Sequence, residues 1–261
     1  MSRASTGLSG AGPGGADGGR SWAGGRRRPT VLAFPHAGAG ASVYRDWGHL
    51  LAPDIDVIAM RLPGREERWS EPPRRTIWSV LEATEPQWGD ACRPPYAVFG
   101  HSVGALAAFE LVREIRRNGL ANPAHLIVSG RVAPHVCSVR PVQHDLPDEE
   151  LSAHLCALGG VSETVLANRA VRAMLLPALR ADLACDEHYE YVPEPPLAVP
   201  VTVLSGADDP LVWREGLIAW AAQTTGPCTI QWMSGGHFFG SEHQEEVLTC
   251  VRSALLPAAL R

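Results

Sequence analysis

The 261-residue chain is 45% hydrophobic and 20% charged, with a net charge of -5. That balance is ordinary for a globular protein and excludes the basic stripe a nucleic-acid binder needs. All 23 basic residues are arginine, which excludes a lysine nucleophile or Schiff base. No apolar run approaches the roughly 20 residues that cross a bilayer, and a chain of this length buries enough surface to fold without staples.

Residues 1–28, "MSRASTGLSGAGPGGADGGRSWAGGRRR", are rich in Gly, Ser and Arg and cannot build a core, so a disordered tail is expected there. The apolar stretch after the arginine run is short and breaks at Pro35 and His36, unlike an export signal. The six cysteines (Cys92, Cys137, Cys156, Cys185, Cys228 and Cys250) are scattered, with no CxxC pair and no spacing for a metal. Reduced, mostly buried thiols in a cytoplasmic protein are expected, with no metal.

From residue 29 onward, short apolar runs alternate with helix-like segments. The runs are "TVLAF" (30–34), "IDVIAM" (55–60), "YAVFG" (96–100), "HLIVSG" (125–130), "VTVLSG" (201–206) and "CTIQWM" (228–233). Helices are expected at about 43–52, 76–89, 103–118, 211–223 and 241–255. Continuous apolar strands separated by helices predict an α/β fold with a mostly parallel central sheet covered on both faces. Function in such sheets gathers beyond the carboxyl ends of the strands. About 70 residues between the fourth and fifth runs contain no convincing strand, and their Leu and Ala recur at helical spacing. A helical lid inserted at about 136–196, within one domain spanning 29–261, fits that pattern.

The chemistry-bearing residues sit at the ends of these runs. "YAVFG" leads through "HSVG" into an amphipathic helix, which is the context of a nucleophile elbow. A tight strand-to-helix turn there exposes the hydroxyl of Ser102, and small residues on either side let backbones approach. A serine hydroxyl is a poor nucleophile until a base takes its proton. Two later strand ends supply an acid and a base in the order Ser…Asp…His. "VTVLSG" turns into Asp208, Asp209 and Pro210, and "CTIQWM" turns on Gly235 and Gly236 into His237. This order marks the α/β-hydrolase fold. The loop after the fourth run, "SGRVAP", holds no competing acid. His36 and His101 follow no late strand and read as local scaffold. The N–H groups of Ala37, in the "HAGAG" loop, and of Val103, after the serine, are the expected oxyanion donors.

Several segments together resemble the stand-alone (type II) thioesterases of polyketide synthase and nonribosomal peptide synthetase pathways: "FPHAGAGASVYRDW", "RLPGREERWSEP", "FGHSVGALAAFEL", "SGRVAP", "LPALRADLACDEHYEY", "GADDPLV" and "GGHFF". The resemblance implies Ser102 as nucleophile, His237 as base, and Asp209, directly before the proline, as the acid that orients it. Ala37 and Val103 would form the oxyanion hole. It implies hydrolysis of acyl-phosphopantetheine thioesters on acyl or peptidyl carrier proteins, transient partners that act in trans, with an editing role. No dissociable cofactor is implied. An acyltransferase or cyclase with the same three residues and another acceptor is the alternative. A monomer is expected. The chain departs from the family at Val103, where Met is common, in the valine of "SGRVAP", and in "RADLACDEHY", which is usually more aromatic.

Overall fold

The computed structural model describes residues 27–136 and 141–256. The tail expected at 1–28 therefore lies, except for its last two residues, outside the described residues, as does Cys137. Six strands form one sheet in the order β2-β1-β3-β4-β5-β6, and every neighbouring pair is parallel. They are β1 (Thr30–Phe34), β2 (Asp56–Ala59), β3 (Tyr96–His101), β4 (His125–Ser129), β5 (Val201–Gly206) and β6 (Cys228–Met233). Because all run the same way, all six carboxyl ends share one edge of the sheet.

Alternation along the strands divides the core in two. Leu32, Phe34, Tyr96, Val98, Leu126 and Val128 pack on one face, against α2 (Ile77–Trp88) and α3 (Val103–Arg117). Val31, Ala33, Ala97, Phe99 and Ile127 pack on the other, against α8 (Gln244–Leu255) and the short helix α1 (Trp47–Leu50). The α3 helix is buried nearly all round, as a helix crossing the middle of a doubly covered sheet must be. Each large apolar side chain so buried contributes about 1.5–3 kcal/mol. Thr76 starts α2 with a capping box, accepting from the Ser79 N–H while the Ser79 hydroxyl accepts from the Thr76 N–H.

Two expected helices are shorter than the sequence suggests. Over 43–52 there is a 3-10 turn (Ala41–Tyr44) and the single turn of α1. Tyr44 and Trp47 sit in edge-on contact with Phe99, at centroid distances of 5.8 and 4.9 Å, and this ring packing replaces a continuous helix. Over 211–223, α7 (Arg214–Ile218) gives way to a 3-10 turn that ends at Gln223.

Between β4 and β5 lie α4 (Asp148–Ala157), α5 (Glu163–Ala167) and α6 (Arg169–Glu187). Asn168 caps α6, its side chain accepting from the N–H groups of Ala170 and Val171. Leu151, Leu155, Leu166, Leu176 and Leu179 form a separate small core for this insertion, and Ala37 from the loop after β1 packs against it. Among the described residues, no helix is long and apolar enough to cross a membrane.

Candidate active site

The sharpest backbone feature is the turn between β3 and α3. Ser102 has φ 57° and ψ -122°, a conformation costing a non-glycine residue about 1–3 kcal/mol. Its surroundings hold it there. The Ser102 N–H donates to the Ser129 carbonyl at 2.8 Å, tying the turn to the end of β4. A Cβ on Gly100 would lie 2.0 Å from the Gly104 carbonyl oxygen, and one on Gly104 would lie 2.4 Å from that of Phe34. Only glycine lets strand, turn and helix approach so closely. Although Ser102 occupies the helix N-cap position, its hydroxyl makes no capping bond.

The ends of β5 and β6 are pressed together in the same way. A Cβ on Gly206 would fall 2.2 Å from the Gly236 carbonyl oxygen, and the Asp208 N–H donates to the Gly235 carbonyl at 2.9 Å. Gly235 turns the chain with φ 95°, delivering a buried His237 to a buried Asp209. His237 Nδ1 and Asp209 Oδ2 are 2.8 Å apart. With Nδ1–H donating to the carboxylate, the lone pair belongs to Nε2. The other carboxylate oxygen, Asp209 Oδ1, accepts the Leu211 N–H at 2.8 Å. Asp208 is exposed, so burial separates two acids that adjacency in the sequence could not.

Ser102, His237, Ala37 and Val103 line one cleft, walled on the insertion side by residues that include Leu155 and Leu179. The Ala37 and Val103 N–H groups have no acceptor among the described residues, so two donors remain available beside the serine. The structure thus brings all five expected residues to one place. Among the described residues there is no cluster of three or more His, Cys, Asp or Glu side chains fit to hold a metal.

Three histidines crowd this end of the sheet. The His101 and His237 rings are 5.0 Å apart, and His36 meets Phe238 edge-on at 4.8 Å. Burial lowers the His101 pKa well below the usual histidine range, with His237 and His36 adding to the effect. His36 falls to about 4, chiefly by burial, against an opposing bond to the Ala37 carbonyl. Both rings are neutral near pH 7 and add no positive charge beside His237.

A pair of residues without an assigned role in the sequence reading completes the site. Arg65, in "LPGRE", and Asp182, in "RADLAC", form a buried two-pronged ion pair, with Nη2 to Oδ1 at 2.9 Å. The "LPGRE" loop also cradles the "HAGAG" loop, through Arg65 Nη1 to the Ala39 carbonyl at 3.0 Å and the Ser42 N–H to Glu66 Oε1 at 3.1 Å. Arg65 and Asp182 are 117 residues apart in the chain, and neither carried a role in the sequence.

The family model described as "Thioesterase domain" matches residues 29–255. The chain belongs to the thioesterase family. It is 37% identical over 218 residues to the gramicidin S biosynthesis protein GrsT of Aneurinibacillus migulanus, covering 84% of this chain and 85% of the relative. Among solved structures, BorB, the type II thioesterase from the borrelidin biosynthetic cluster, matches with a TM-score of 0.81 and 37% identity over 87% of this chain and 92% of that one. The thioesterase RedJ from the prodiginine pathway of Streptomyces coelicolor matches with a TM-score of 0.81 and 35% identity over 88% and 94%. The family membership makes this chain a hydrolase of thioesters.

Proposed function

We propose that this thioesterase acts alone and in trans on carrier proteins of a polyketide or nonribosomal peptide synthase, hydrolysing acyl groups from the phosphopantetheine arm and so clearing stalled chains. The observation that carries the reading is the buried His237–Asp209 pair, which shares a cleft with a serine held in a strained turn. That its relatives are named for gramicidin S and borrelidin biosynthesis supports the substrate class.

His237 Nε2 takes the Ser102 proton as Oγ attacks the thioester carbonyl. Asp209 keeps Nδ1 protonated and stabilises the imidazolium that forms. Charge on the carbonyl oxygen is met by the N–H groups of Ala37 and Val103, the second lying at the positive end of α3. His237 returns the proton to the departing thiolate, leaving an ester on Ser102. Water, deprotonated by the same nitrogen, then releases the acid. The insertion α4–α6 acts as the lid that walls the acyl channel.

The test is deacylation of acetyl-, propionyl- and longer acyl-loaded carrier protein, followed by mass spectrometry, with wild type and Ser102→Ala. Release that falls by about 10⁴-fold or more in the variant is expected. A persistent acyl mass on Ser102 without release would mean that the acceptor is an alcohol or amine. Release unaffected by the substitution would remove Ser102 from the reaction.

A further inference from the structure

The α6 helix carries two acids one turn apart, Asp182 and Asp186, and each meets an arginine from a loop at the carboxyl edge of the sheet. Arg65 comes from beyond β2 and Arg131 from beyond β4. The first pair is sealed, with side-chain exposures of 8% and 4%. A sealed ion pair is a poor means of stabilisation, because desolvation offsets much of the attraction. Its geometry does something more specific.

Asp182 Oδ2, besides meeting Arg65, accepts the Gly38 N–H at 2.8 Å. The carbonyl of that same peptide unit, Ala37 O, lies 3.1 Å from His36 Nδ1. The Ala37–Gly38 peptide is thereby held at both ends, by Asp182 at its N–H and by His36 at its C=O. Two residues beyond Ala37, the Ala39 carbonyl accepts from Arg65 Nη1. Gly38 sits at φ 77°, so glycine's freedom would otherwise let this loop swing. Leu179, one turn before Asp182, would lie 3.4 Å from a Cβ on Gly38 and packs the loop from the same helix.

We infer that Asp182, locked by Arg65, is a positioning residue for the oxyanion site, fixing the Ala37–Gly38 peptide so that the Ala37 N–H stays aligned on the reacting carbonyl. The inference rests on the serine mechanism proposed above. It makes α6 part of the fixed catalytic framework as well as a wall of the cleft.

The experiment compares wild type with Asp182→Asn on a short-chain acyl thioester, and measures inhibition by an alkyl trifluoromethyl ketone, whose serine adduct carries an oxyanion. An amide whose oxygen takes the place of Oδ2 can still accept from Gly38 and Arg65 Nη1, but it turns its NH₂ toward Arg65 Nη2, so one prong of the lock on Arg65 becomes a donor facing a donor. The expected result is a kcat lowered by about 30- to 100-fold with KM within about threefold, and a parallel weakening of the ketone. This is somewhat less than outright loss of a donor causes. Leu176→Ala, in the insertion core and not lining the cleft, loses stability but keeps both kcat and ketone affinity. A folded Asp182→Asn enzyme with wild-type kcat and ketone affinity, or one changed only as much as Leu176→Ala, overturns the inference. Should Asp182→Asn fail to fold, Arg65→Lys, which keeps the charge and loses the fork, is judged by the same two measurements. Failure of the underlying reading looks different: Ser102→Ala retains activity and the ketone does not inhibit wild type.

Discussion

The Asp209 carboxylate sits 2.8 Å from His237 Nδ1 and is sealed from water, while Asp208, one residue earlier, is exposed. A hydrogen bond in that position sets the tautomer of the imidazole. An amide in place of Asp209 can present its NH₂ to Nδ1 and leave the proton on Nε2, where it blocks general-base action. Asp209→Asn is therefore expected to lower kcat by about 10³- to 10⁴-fold with little effect on KM, and Asp208→Asn to leave both within about threefold. Steady-state hydrolysis of one acyl thioester decides the matter, and equal losses in the two variants would contradict the assignment.

The strained serine turn depends on backbones that touch. Gly104→Ala would put a methyl 2.4 Å from the Phe34 carbonyl oxygen and 2.5 Å from that of Pro35, neither of which can rotate away. The expected cost is about 3 kcal/mol or more, together with lost labelling of Ser102 by a fluorophosphonate. Gly119→Ala serves as the comparison. Its Cβ would meet no atom within 4 Å, but φ is 63°, so a cost of about 1–2 kcal/mol with labelling intact is expected. Thermal denaturation and probe labelling separate the two.

Acid sensitivity follows from the buried histidines. His36 titrates near 4 in the folded chain against about 6.5 unfolded. Between those values the unfolded state binds a proton that the folded state refuses. Stability is therefore full above pH 6.5 and declines as the pH falls toward 4, by at most about 3 kcal/mol for His36, reduced by screening at the partly exposed edge of its ring. His101 and His125 are lowered in the same direction, both mainly by burial. Glu194 titrates near 2, its burial outweighed by the Arg117, Arg116 and Arg113 guanidiniums, so its contribution is lost only below about pH 4.5. The slope between pH 6.5 and 4.5 thus contains the histidine contribution, and His36→Asn should flatten denaturant melts across that interval. An unchanged slope would refute the assignment.

The strands were legible because apolar, β-branched runs bounded by Gly and Pro have few other uses, and the serine, acid and histidine stood at their ends. The shortened helix around Trp47 was not, since its residues are held by contacts with Phe99, far away in the chain. The family spacing before the proline already favours Asp209 over Asp208, and burial at the β5–β6 contact, with the bond to His237, gives that preference a physical reason. Arg65 and Asp182 were visible only as parts of separate motifs. Their pairing depends on how α6 lies across the loop after β1, which no local pattern specifies.

Chain-length preference should reside in the insertion core. Leu155 and Leu166 both belong to that leucine cluster and are nearly buried, yet only Leu155 also lines the cleft. Truncating either to alanine removes similar packing, at about 2–5 kcal/mol, so stability alone cannot distinguish them. The space opened by Leu155→Ala adjoins the cleft and can take extra methylenes of an acyl chain, each worth about 0.8 kcal/mol when buried. The ratio of kcat/KM for hexanoyl over propionyl thioester should rise about tenfold or more in Leu155→Ala and stay within about twofold in Leu166→Ala. Equal shifts in both variants would mean that the cluster acts only as support, and that chain length is read elsewhere in the cleft.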